Sequence, residues 1–157
     1  MNCIRTTSSA SWLRHLRSLY DLAWSDRGLL IEAAALLGAA RLAAKTIPFK
    51  QLARCFGQHM SESERVVESG VDARASRIGW AVRTVARRTP WNSNCLAQAV
   101  AARLMLRRRK MACTVYLGLV KDGKHELAAH AWLRCGNRVV TGGRTSSRRY
   151  TVVSTFS

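Results

Sequence analysis

Acidic side chains are scarce in this chain: 9 Asp and Glu stand against 26 Lys and Arg, a formal charge of +17 over 157 residues. Such a field attracts anions, whether nucleic acid, an acidic peptide, a phosphate-bearing partner or an anionic membrane surface. Charge alone does not choose among them, and a dispersed basic surface without a specific partner satisfies it equally. Paired cysteines are missing too. Cys3, Cys55, Cys95, Cys113 and Cys135 are odd in number and contain no CxxC pair, which argues against a disulfide framework and a structural zinc site. No apolar run reaches the roughly 20 residues that cross a bilayer. The most apolar stretch, residues 29–44, carries Glu32 and Arg41 and reads as a buried or surface-docked helix.

Other absences narrow the classes further. The N-terminus has no compact apolar segment followed by a small-residue cleavage site, so a cytoplasmic location is expected. No Gly-rich phosphate loop, zinc finger, helix-turn-helix or aromatic-interleaved strand is visible, so neither a bound cofactor, a metal nor a nucleic-acid partner is expected. There is no internal repeat and no low-complexity tract. What is present, 48% apolar and 22% charged residues, suits a folded chain, and the length suits one domain over residues 1–157.

The first ten residues are rich in Ser and Thr and read as frayed, followed by a helical face of Trp12, Leu16, Leu19 and Tyr20. Asp26 can cap a helix over 27–45 that ends before Pro48, and a short helix over 49–56 stops at Gly57. Ser61 and Glu64 have capping-box spacing, predicting a helix from about residue 62 that breaks near Gly70 or Gly79. Residues 94–109 repeat Leu96, Ala99, Val100, Leu104 and Leu106 behind the capping candidates Asn92, Ser93 and Asn94. The period then changes. Residues 112–120, 127–134, 138–141 and 150–156 read as strands separated by Asp122-Gly123, Gly136-Asn137 and Gly142-Gly143. Helices followed by an antiparallel sheet predict an α+β fold, mainly helical over 1–90. Trp12, Trp24 and Trp80 read as core, and residues 144–149 as a solvated loop.

Two residues stand out for chemistry. Cys95 falls in the predicted first turn of a helix, where unpaired backbone N–H groups and the positive end of the dipole favour thiolate. His130 lies among the small residues of Ala128-Ala129-His130-Ala131-Trp132-Leu133, with Trp132 on its own face of the strand. A base on a strand facing a helix N-terminus is the papain-type arrangement, although either residue alone is more commonly structural.

Four segments carry a resemblance: Trp91-Asn92-Ser93-Asn94-Cys95-Leu96-Ala97-Gln98-Ala99, Leu104-Met105-Leu106-Arg107-Arg108-Arg109, Tyr116-Leu117-Gly118-Leu119 and Ala129-His130-Ala131-Trp132-Leu133. In order and spacing the chain resembles the transglutaminase-like leader peptidases of lasso-peptide biosynthesis. The stretch from Leu30-Ile31-Glu32-Ala33 to Ile47-Pro48-Phe49 is similar to their helical N-terminal half. The resemblance implies a transglutaminase/papain-like core over 91–157, with a nucleophile helix packed on an antiparallel sheet. It implies a cysteine protease in which Cys95 attacks the amide joining leader to core peptide and His130 is the general base. The implied partners are the precursor leader peptide, a separate leader-recognition protein, and an ATP-dependent lasso cyclase, with no cofactor in this chain. A stand-alone form without a fused recognition domain is expected.

One departure is visible. Family members often carry an Asp about a dozen residues after the histidine, whereas Val140-Thr141-Gly142-Gly143 stands here, with Gly142 at the usual place and no acid after Glu126. A hairpin turning at Gly136-Asn137 puts Gly142 and Gly143 near His130. Thr141, Asn137 or a backbone carbonyl could orient the imidazole, or the pair could act as a dyad. Two readings from other classes compete: a non-catalytic scaffold of the lasso maturation complex, and a basic nucleic-acid-binding domain. The basic surface also suits peripheral membrane contact.

Overall fold

The computed structural model describes residues 24–48, 51, 56–65, 70–89, 94–121, 127–143 and 146–157. Its first helix, α1 (Trp24–Thr46), puts Leu30, Ala33, Leu37 and Ala40 on one buried stripe. That three-to-four spacing is what the Ala- and Leu-rich sequence dictates. Asp26 lies inside the first turn rather than capping the helix, and pairs with Arg77 of α2 (Val71–Ala86).

Helix α2 corrects the capping-box expectation. Residues 61–65 form no helix, and α2 begins only after Gly70, whose φ of 90° stops any earlier helix from continuing. The segment is held by tertiary bonds instead. The Ser63 backbone N–H donates to Thr114 Oγ1 at 2.8 Å, and the Ser61 hydroxyl accepts from Ser157 at 2.7 Å. Nor does α2 break at Gly79. A Cβ there would stand 2.5 Å from the Val140 carbonyl oxygen, so glycine is what lets α2 lie against the sheet. The faces of Trp12, Leu16, Leu19 and Tyr20, most of the 49–56 helix, and Val66 and Val67 fall outside the described residues.

Helix α3 (Cys95–Arg108) sits between α1, α2 and the sheet, with Ala97, Ala101, Ala102, Met105 and Leu106 buried. Glu32 of α1 ties to its C-terminal end through Arg109 at 2.7 Å and Arg108 at 3.4 Å. The strands are β1 (Thr114–Lys121), β2 (Leu127–Cys135), β3 (Arg138–Thr141) and β4 (Thr151–Phe156), in the order β3-β2-β1-β4. All neighbours run antiparallel, with His130 opposite Gly118 and Trp132 opposite Tyr116. This is the expected α+β fold, with the helix that begins at Cys95 packed on an antiparallel sheet.

Alternation along the strands separates two faces. Val115, Ala131 and Leu133 join the helices in the main core, with Leu117 packed against it. Tyr116, His130 and Trp132 form an aromatic stack on the other face, where Tyr116 and Trp132 are 5.4 Å apart and nearly parallel. Of the 144–149 stretch expected as a solvated loop, residues 146–149 are described and depart from that expectation. A one-turn helix α4 (Ser146–Arg149) forms there, and Ser146 is buried. Trp24 and Trp80 are not core residues: they are 85% and 38% exposed, and the Arg27 guanidinium lies over the Trp24 ring. Among the described residues, no helix is long and apolar enough to cross a membrane.

Candidate active site

Cys95 is the first residue of α3, half-buried, directly after an Asn94 whose extended backbone is that of an N-cap. The Asn94 side-chain oxygen accepts from the Ala97 N–H at 3.0 Å. The cap fixes where the helix begins, and therefore fixes the thiol at the positive end of its dipole. No acidic residue sits in that first turn to oppose the dipole.

His130 comes from the middle of β2. Its ring stacks on Tyr150 with centroids 4.7 Å apart, and more loosely on Trp132 at 6.1 Å. The side-chain-less Gly118 across the ladder leaves room for this stack, because a Cβ there would meet the Trp132 ring at 2.8 Å. The ring's Nε2 lies 2.7 Å from the Gly142 carbonyl oxygen. A carbonyl only accepts, so Nε2 is the donor and carries the hydrogen.

Cys95 and His130 border one apolar cavity of about 350 Å³, walled by Leu96, Leu117, Leu119, Ala131 and Val153. They reach it differently. Cys95 packs with the helix-side core, whereas the His130 ring belongs to the aromatic face of the sheet. Among the described residues, no hydrogen bond joins the thiol to the imidazole. The structure thus brings the two sequence candidates to one cavity but does not couple them directly.

The other described cysteines have a different character. A larger cavity of about 450 Å³, lined by Arg103, Arg107, Lys110 and Cys113, lies toward the other end of α3. Burial pushes the Cys113 thiol up to about 11, against the pull of Arg103, and burial also raises Cys135. Both remain protonated and unreactive near neutral pH. His59 bonds to Ser154 Oγ at 2.8 Å and bridges to β4, a structural role. Among the described residues, no group of three or more His, Cys, Asp or Glu is placed to hold a metal ion.

Sequence reasoning missed Tyr150 and Ser146. Tyr150 marks only the start of a strand in sequence, and Ser146 sits in an Arg-rich segment with no pattern of its own. The Tyr150 ring meets His130 only when the sheet is folded, whereas Ser146 reaches Gly142 across four residues through a turn that no local pattern announced. The Gly142-Gly143 pair was the one local signal, since it marks a turn near the histidine.

Searches of curated proteins and of solved structures found no match for the chain. A family model, described as Transglutaminase-like superfamily, matches residues 29–155. That span takes in most of α1, the capped cysteine helix, β1 to β3 and all but the last residue of β4, and enzymes of this superfamily are generally of the cysteine peptidase type. On this match the chain belongs to the transglutaminase-like superfamily.

Proposed function

We propose that this chain is a cysteine peptidase that removes the leader from a lasso-peptide precursor, with Cys95 as nucleophile and His130 as general base. The observation that carries the reading is that a capped-helix cysteine and a strand histidine border one cavity, the thiol from the helix side and the imidazole from the aromatic face of the sheet. In the reaction, the Cys95 thiolate attacks the carbonyl carbon of the amide joining leader to core peptide. His130 takes the thiol proton and returns it to the leaving amine, and water then hydrolyses the thioester. The Cys95 backbone N–H, at the helix start, faces the developing oxyanion. Because Nε2 is engaged with Gly142, the nitrogen that serves as base is Nδ1. Catalytic contacts of this kind commonly close only when substrate is bound.

In this reading the chain acts as one domain in the cytoplasm. It receives the leader from a separate recognition protein and passes the freed amine to an ATP-dependent cyclase. A second reading, a non-catalytic scaffold that docks the precursor for that cyclase, draws on two observations: glycine stands at 142, and His130 bonds to a backbone carbonyl rather than to Cys95.

The test is precursor cleavage followed by product mass, with the recognition partner present. The wild type should release one leader fragment, Cys95→Ala none, and His130→Ala should be slower by roughly 100-fold or more. An intact complex without cleavage by the wild type points to the scaffold. Salt-dependent DNA binding that is indifferent to Cys95→Ala, together with absent cleavage, points to the nucleic-acid reading.

A further inference from the structure

A base that works from one ring nitrogen needs the other nitrogen held. In the peptidase reading, on which this inference rests, the usual holder is a carboxylate about a dozen residues after the histidine, and here that place is Gly142. The backbone there excludes any side chain. Gly142 has a φ of 91°, and a Cβ would stand 2.4 Å from the Trp132 Cβ and 2.8 Å from the Ala131 carbonyl oxygen. No real Cβ tolerates such approaches, so the hairpin has room for a carbonyl at this point and none for an acid.

The carbonyl is itself held. Ser146, 3% exposed, donates its hydroxyl to the Gly142 oxygen at 2.5 Å, with the Gly143 oxygen also within reach at 3.0 Å. Its position is set by α4, whose turn is closed by the Tyr150 N–H bonding to the Ser146 carbonyl at 3.0 Å. Tyr150 then stacks on the His130 ring. Gly142 and Tyr150 therefore touch the imidazole at two places: at Nε2 through a serine-braced carbonyl, and on its face through a tyrosine ring.

We propose that the Gly142 carbonyl, braced by Ser146, is the group that orients His130 in place of a carboxylate and fixes Nδ1 as its unprotonated, basic nitrogen. Two lone pairs on one carbonyl oxygen allow it to accept from Nε2 and from the serine together. The serine stops the peptide from rotating away from the ring. A neutral acceptor sets ring orientation and tautomer without placing a second charge in an apolar site. Gly142 and Ser146 are positioning residues; neither needs to touch substrate.

The test reads the tautomer directly. Long-range proton–nitrogen correlation spectra of protein labelled with ¹⁵N in histidine, assigned by His130→Gln, report which ring nitrogen carries hydrogen when the ring is neutral. Wild type should show His130 as the single Nε2–H form. Ser146→Ala should mix the two tautomers and slow precursor cleavage by roughly 10-fold, the scale of one lost positioning bond. Ser146→Thr, which keeps the hydroxyl, should restore both. An Nδ1–H wild type, or a Ser146→Ala variant with unchanged tautomer and cleavage, overturns the proposal. Should Ser146→Ala fail to fold, the wild-type and Ser146→Thr spectra decide alone. A wild type that shows the Nε2–H form yet cuts nothing overturns the peptidase reading and leaves the serine-braced carbonyl supported.

Discussion

Cys113 and Cys95 show how strongly a thiol's behaviour depends on its surroundings. Cys113 is buried and its thiol is raised to about 11, so the folded state holds a proton that the unfolded chain gives up near 9. The unfolded state then binds fewer protons than the native state in that window, and stability falls as pH rises. Unfolding free energies from urea titrations at pH 8 to 11 should decline, by at most about 3 kcal/mol from this group, and Cys113→Ala should flatten that decline. At pH 7.5 a small alkylating reagent should modify Cys95 well before Cys113 or Cys135, as read by peptide mass. A second residue-scale expectation concerns Gly142→Asp. Restoring the family's acid should not improve cleavage, because the left-handed backbone and the nearby Trp132 Cβ leave it no place. A loss of about 2–4 kcal/mol in urea stability is expected from strain and overlap.

At the scale of elements, two attachments set the geometry around the sheet and the cysteine helix. Asn94 begins α3, and Asn94→Ala should cost about 1 kcal/mol, with slower alkylation of Cys95 as the first turn frays. Arg134, 7% exposed on β2, bonds to Tyr116 Oη at 2.8 Å, the Gly136 carbonyl at 2.6 Å and the Ser63 carbonyl at 2.7 Å. It pins the non-helical 61–65 segment across the aromatic face, and Glu62 lies 3.6 Å away to balance its charge. Arg134→Ala should cost about 2–4 kcal/mol in chemical denaturation, since several buried acceptors lose their donor. The same network explains why the Ser61 and Glu64 pattern failed as a helix start: local capping was worth less than these long-range bonds. The strands were legible because Val, Tyr, Trp and Thr cluster between glycine-bearing turns, and α3 because its cap and period agree.

For the whole molecule, the +17 charge has few internal partners among the described residues, where the acids Asp26, Glu32 and Glu62 are already paired. Retention on a polyanionic resin should fall steeply with added salt, through counterion release, and should be identical for wild type and Cys95→Ala. Sequence by itself pointed to the α+β order, the helix that starts near Cys95 behind three polar capping candidates, and the two residues worth watching; the structure picked Asn94 as the cap. The first three follow from periodicity and turn chemistry, which act over a few neighbours. Only the tertiary structure decided that Trp24 and Trp80 face outward, that α2 passes unbroken through Gly79, and that Arg134 is buried. It alone put Ser146 and Tyr150 against the groups around His130. Apart from the four-residue bond from Ser146 to Gly142, those outcomes depend on contacts between residues well separated in the chain, and no local pattern encodes which distant side chain or carbonyl fills a given place.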